Sequence, residues 1–152
     1  MRVALFQPDI AGNVGTILRT CACLDVAVDI IEPCGFPFSD RSLQRAGMDY
    51  FHQSQYIRHS RWSEFIESVD TETQRIILLS SKASVPYHSF SFKSSDILLF
   101  GSEGAGVPDF VQMRANERIT VPMANGMRSL NLAVTAGMAL GEALRQTGQF
   151  PK

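Results

Sequence analysis

Short apolar runs alternate with segments in which apolar residues recur every three or four positions, and this alternation runs the length of the chain. RVALF (Arg2 to Phe6), VAVDIIE (Val26 to Glu32), RIILLSS (Arg75 to Ser81) and DILLF (Asp96 to Phe100) have the continuous apolar character of strands buried on both faces. RITVPM (Arg118 to Met123) predicts a shorter strand, and Tyr56 to His59 a weak one. Between them, Ile17, Leu18, Cys21 and Leu24 fall on one helical face, with Thr16 and Arg19 on the polar side and Asn13 placed as an N-cap. Asp40 to Tyr50 reads as a short helix carrying Arg41 and Arg45 one turn apart. Trp62 to Val69 reads as an amphipathic helix, and the serine-rich run Ser80 to Ser95 as a surface loop. Strands alternating with helices predict an α/β fold with a mostly parallel sheet and helices on both faces. No repeat or boundary divides the chain, so residues 1–152 are expected to form a single domain.

The last third is where chemistry concentrates. A buried strand ends at Phe100 and delivers its C-terminus into GSEGAGVP; a second strand ends in a loop carrying Asn125, Gly126, Arg128, Ser129 and Asn131. Two turns leaving the C-terminal ends of strands form a natural ligand crevice in such a sheet. The glycine spacing differs from that of a dinucleotide fingerprint, and no Gly-Lys-Ser/Thr follows to make a phosphate loop. A turn whose bare backbone holds a polar ligand and a turn needed only for tight packing both remain open, with Glu103 either aimed into the site or capping the turn. In the final helix, Ala133, Ala136, Gly137, Ala139, Gly141 and Ala143 are small, so another backbone can approach closely. Two glycines would each cost about 1 kcal/mol against alanine in an isolated helix, so something must pack on this surface, either the chain's own core or a second subunit.

Composition narrows the partners. With 14 Lys plus Arg against 15 Asp plus Glu, the net charge is -1, which disfavours a generally basic RNA-coating protein but permits a local basic patch. Hydrophobic content of 45% and charged content of 19% are those of an ordinary globular chain. No apolar run approaches the roughly 18 residues of a bilayer span, and the N-terminal apolar run breaks at Gln7-Pro8. Cys21, Cys23 and Cys34 lack metal-ligand spacing and are expected to be reduced packing thiols in a cytoplasmic protein, with no metal and no membrane.

Three stretches together resemble the SPOUT class of RNA methyltransferases, in its SpoU (TrmH-like) branch. They are PDIAGNVGTILRT, with Asn13 and Arg19 six apart; LLFGSEGAGVP, with Gly101, Glu103 and Gly104; and ITVPMANGMRSLNLAVTAGMALGEALRQ, with Pro122, Ser129, Leu130 and Asn131. IIEPCGF, DRSLQRAGMDY and the compact length make the chain most similar to the subgroup that methylates the ribose 2′-hydroxyl of the wobble nucleotide (cytidine or uridine, position 34) of tRNA. The resemblance implies an α/β-knot fold with a C-terminal trefoil knot, an exception to unknotted topology. It implies S-adenosyl-L-methionine as cofactor, held by Leu79, Gly101, Val121, Ser129 and Leu130, and a homodimer with composite active sites. Catalytic roles are implied for Arg19, Asn13, Glu103, Ser129 and Asn131, and tRNA contacts for Arg19, Arg41, Arg45, Lys82 and Arg128. Gly141 stands where relatives of this subgroup often carry a tyrosine. Methylation at another tRNA or rRNA site, or an inactive RNA-binding knot protein, is the alternative the resemblance leaves open.

Overall fold

The computed structural model describes residues 1–39, 41 and 55–152. The strands are β1 (Arg2–Phe6), β2 (Ala27–Ile31), β3 (Tyr56–His59), β4 (Ile76–Leu79), β5 (Val85–Pro86), β6 (Ile97–Phe100) and β7 (Glu117–Thr120). They form a sheet in the order β3-β2-β1-β6-β4-β7-β5, with every pairing parallel. Central strands β4 and β6 are buried at every residue, as continuous apolar runs require when both faces are covered. The described outer strands are blunter: β3 exposes Ile57 and Arg58, and β5 is two residues ending in a proline, a residue tolerated only where a ladder donor is dispensable.

Helices cover both faces. α1 (Ala11–Cys23) and α4 (Leu132–Thr147) pack Val14, Ile17, Leu18, Ala139 and Leu140 against Leu5, Ile30, Leu98 and Phe100. α2 (Trp62–Glu67) and α3 (Asp109–Gln112) place Phe65 and Val111 against Phe6, Ile31, Ile97 and Leu99 on the other face. Alternate residues of one strand thus feed opposite cores, the period-2 geometry of a strand. From β1 the chain runs outward to β2 and β3, then crosses to β4 and later inserts β6 between β1 and β4. The strand order reverses direction beside β1, and crevices for ligands lie at the carboxyl ends of strands at such a point.

Three sequence expectations need correction. Asn13 is not the N-cap of α1; Ile10 precedes the helix without a side-chain cap, and Asn13 sits buried in the first turn, where its amide finds partners on two other loops. The run from Ser80 to Ser95 is not only loop, because Val85 and Pro86 pair with Ile119 and Thr120 and Phe92 is buried. The strand expected to reach Met123 stops at Thr120, and the last helix begins at Leu132. Its start is set by Asn131, whose side-chain oxygen accepts the backbone N–H of Ala133 and Val134. The helix expected over residues 40–50 lies outside the described residues, save Arg41, which is exposed.

Candidate active site

Loops leaving the carboxyl ends of β1, β4, β6 and β7 enclose a cavity of about 600 Å³, within the range that holds a small ligand or cofactor, roughly 300–1,000 Å³. Its floor is apolar, from Leu78, Leu79, Phe100 and Val121, and its rim mixes backbone with Ser81, Lys82, Ser129 and the exposed Ile10 and Leu130. Among the described residues, only Lys82 and Glu103 bring formal charge to the lining, which suits a ligand with apolar faces and few charged ends.

The glycine turn after β6 is shaped by an unusually close approach. A Cβ on Gly101 would lie 2.4 Å from the carbonyl carbon of Gly106, so no larger residue fits without moving backbone. That proximity lets Ser102 and Gly106 exchange two backbone hydrogen bonds, of 3.0 and 2.9 Å, with Gly106 at φ +67°. At Gly101, Gly104 and Gly106 the turn therefore presents bare main chain to the cavity.

Hydrogen bonds join the sequence's three motif stretches. Asn13 Nδ2 donates to Glu103 Oε1 at 2.8 Å, and Asn131 Nδ2 donates to Asn13 Oδ1 at 2.9 Å. Glu103 Oε2 also accepts the backbone N–H of Asp9 at 2.7 Å, and Asp9 Oδ2 accepts the N–H of Gly104 at 3.0 Å. Glu103 is thus both at the cavity and holding its turn. Hydrogen bonds to a carboxylate are stronger than neutral ones, so this chain fixes the two walls relative to α1.

Leu79, Gly101, Val121, Ser129 and Leu130 all lie on the cavity wall, as do Asn13, Glu103, Asn131 and Lys82. Arg19 and Arg128 are exposed and do not line it, nor does Arg41; Arg45 lies outside the described residues. Sequence reading missed Asp9 and Gly35. Their partners are distant in the chain, and a lone Asp beside a proline reads as turn chemistry.

Two of the thiols, Cys21 and Cys34, are poor nucleophiles. Burial pushes Cys21 up to about 12, and burial followed by the charge of Glu32 pushes Cys34 up to about 11, so both stay protonated at neutral pH. Cys21, Cys23 and Cys34 are all unpaired. Among the described residues, no group of three or more His, Cys, Asp or Glu could hold a metal ion, and no helix is long and apolar enough to cross a membrane.

Residues 1–141 match the sequence pattern of the SpoU rRNA Methylase family. The chain belongs to that family. It is 53% identical over 150 residues to a tRNA (cytidine(34)-2'-O)-methyltransferase of Beijerinckia indica, covering 99% of this chain and 94% of the relative. In three dimensions this SpoU-family chain superposes with a TM-score of 0.89, at 36% identity, on a structure described as "Structural insights into the 2-OH methylation of C/U34 on tRNA", covering 95% of this chain and 94% of that one. The AdoMet-bound rRNA methyltransferase from Sinorhizobium meliloti gives a TM-score of 0.84 at 30% identity, covering 95% of this chain but 55% of that one.

Proposed function

We propose that this chain is an S-adenosyl-L-methionine-dependent methyltransferase acting on the ribose 2′-hydroxyl of the wobble nucleotide, position 34, of tRNA. The observation that carries it is the cavity bounded by the Gly101–Gly106 turn and the Val121–Asn131 loop, joined by the Glu103–Asn13–Asn131 hydrogen bonds. Full-length similarity to a protein named for that reaction supports the substrate. An apolar floor under a rim that is partly main chain fits the cofactor's adenosine and amino-acid parts, and Leu79, Gly101, Val121, Ser129 and Leu130 would hold it. When bound, S-adenosyl-L-methionine supplies a methyl group already activated on a sulfonium centre.

The protein must align the 2′-oxygen with that methyl group and stabilise the negative charge developing on the oxygen. Arg19 is the residue for the second task. A guanidinium is effectively never deprotonated, so it acts as an electrostatic partner, and the hydroxyl proton leaves to water or a phosphate oxygen. Loss of such a donor typically costs about 2.7 to 4 kcal/mol in the transition state. Arg19→Lys should keep measurable activity with an unmoved pH–rate profile; a profile whose controlling ionisation moves with the substitution would favour Arg19 as the base. Asn13, Glu103, Ser129 and Asn131 position the loops and ribose around it.

Arg19 projects from α1 and is absent from the cavity wall of its own chain, so a second copy bringing it to the reacting ribose accounts for its use. Exposed apolar residues support that reading: Ile10, Leu130, Val134 and Met138 are 51, 42, 52 and 38% exposed, and a Cβ on Gly137 or Gly141 would meet open space. We therefore read the active protein as a homodimer with composite sites. Lys82 at the cavity rim, with exposed Arg19, Arg41 and Arg128, would contact tRNA phosphates, joined by Arg45. The same reading takes residues 1–152 as one domain whose C-terminal third forms the trefoil knot, in a cytoplasmic enzyme that meets tRNA there. Incubating purified protein with labelled cofactor and total tRNA, then mapping methyl groups by mass spectrometry, should place them on the ribose of nucleotide 34. Methylation at any other nucleotide would overturn the assigned position, and none at all the assigned activity.

A further inference from the structure

Building on the proposed methyl transfer, we infer that Asp9, backed by Gly35, is a positioning residue that sets the glycine turn for cofactor binding. Asp9 lies in the loop between β1 and α1, is exposed, and is absent from the cavity wall. Its contacts with the turn run both ways. The backbone N–H of Asp9 donates to Glu103 Oε2 at 2.7 Å, across 94 residues, and its carboxylate Oδ2 accepts the N–H of Gly104 at 3.0 Å, across 95. Asn13 also donates to Glu103 Oε1, at 2.8 Å, and among the described residues the turn's other bonds are its own, because Ser102 and Gly106 pair with each other and the Ser102 hydroxyl accepts the N–H of Ala105. Those bonds fix the turn's shape but not its direction. Glu103 and Gly104 are what tie it to the rest of the molecule, and Asp9 holds both.

Gly35 closes the arrangement from behind. Its N–H donates to the carbonyl of Pro8 at 2.9 Å. A Cβ at Gly35 would lie 2.9 Å from Asp9 Cα, 3.0 Å from Asp9 Oδ1 and 3.2 Å from the Asp9 carbonyl oxygen. Two of those atoms are backbone, so any side chain at Gly35 must displace the loop that carries Asp9. Three loops, leaving β1, β2 and β6, are therefore locked at one corner, and the cavity wall is the part of that corner a ligand touches. The carboxylate's position on the Gly104 N–H, outside the cavity, makes Asp9 a holder of the wall and not a base for the hydroxyl proton.

The test compares the parent protein with Asp9→Ala, Asp9→Asn and Gly35→Ala by titration calorimetry with S-adenosylhomocysteine, hydrogen exchange of the 101–108 peptide, and the melting temperature without ligand. Asp9→Ala should weaken S-adenosylhomocysteine roughly threefold to tenfold, the worth of one hydrogen bond. It should also speed exchange in 101–106 and leave the ligand-free melting temperature nearly unchanged. Asp9→Asn, which keeps an acceptor oxygen, should recover most of the affinity. Gly35→Ala should reproduce the loss although it alters no wall residue. Parent-like affinity or exchange in Asp9→Ala, or no recovery in Asp9→Asn, overturns the positioning role while the function stands. A parent protein that does not bind S-adenosylhomocysteine overturns the function and this role together.

Discussion

Changing Asn13 to aspartate turns the hydrogen-bonded chain at the cavity into a measurable pH effect. In the native protein Asn13 Nδ2 donates to Glu103 Oε1 at 2.8 Å, and Oδ1 accepts from Asn131 at 2.9 Å. Aspartate keeps the acceptor but replaces the donor with a second anionic oxygen facing a carboxylate. Two unit charges at 2.8 Å repel by about 6 kcal/mol at an effective dielectric of about 20. A proton shared between the carboxylates removes that repulsion. Taking it up at pH about 7 costs about 1.4 kcal/mol for each unit above an ordinary carboxylate pKa near 4, so about 4 kcal/mol. Protonation is the cheaper escape and caps the destabilisation. The folded variant then holds a proton that its unfolded chain releases, so its stability relative to the parent falls as pH rises and recovers below about pH 4, where both states are protonated. For a chain of 152 residues, about 4 kcal/mol corresponds to a melting-temperature loss of about 8 to 16 °C. Scanning calorimetry of parent and variant should show near-coincident melting at pH about 4 and a separation of that order at pH about 7. An equal offset at both pH values would refute the contact as the cause.

Three further outcomes follow from other parts of the molecule. Gly101→Ala places a Cβ 2.4 Å from the Gly106 carbonyl carbon, so it should break the Ser102–Gly106 pairing and abolish the thermal stabilisation given by S-adenosylhomocysteine; retained stabilisation would mean that the turn can widen without loss. Asp29 is 1% exposed and pairs with His59 at 2.8 Å and Arg2 at 3.3 Å, so Asp29→Ala strands a partly buried guanidinium and should cost about 3 kcal/mol, or about 6 to 12 °C of melting temperature; denaturant titration giving less than about 1 kcal/mol would make the cluster incidental. Hydrogen bonds from Arg145 and then Gln146 hold the Glu142 carboxyl at about 2, so its contribution is present above the ordinary carboxylate range and lost as pH falls toward that value. Melting curves of the parent and Glu142→Gln should therefore converge between pH about 4 and about 2, whereas parallel curves would contradict the assignment.

Much of the fold was legible because central strands bury both faces and so write themselves as unbroken apolar runs, as Ile76–Leu79 and Ile97–Phe100 do. Val85–Pro86 was not legible: two residues pairing with β7 at the sheet's edge leave no period to read, and proline there argues locally against a strand. The site was legible only as a neighbourhood: Leu79, Gly101, Val121, Ser129 and Leu130 line one cavity, whereas Arg19 and Arg128 lie off it. What the residues do there was less so. Asn13 looked like a cap because Asn before an apolar helical stripe usually is one, but capping would satisfy only a backbone donor. Buried beside Glu103, its amide donates to a carboxylate and accepts from a second amide, partners 90 and 118 residues away. The charge-assisted bond outweighs a cap on α1, and the capping role goes instead to Asn131, whose Oδ1 meets two helix N–H groups while its Nδ2 reaches Asn13. One amide sets the start of α4 and the other ties α1 to the glycine turn. Bonds that span most of the chain leave no trace in spacing, so a motif can tell which residues meet without telling which holds and which is held.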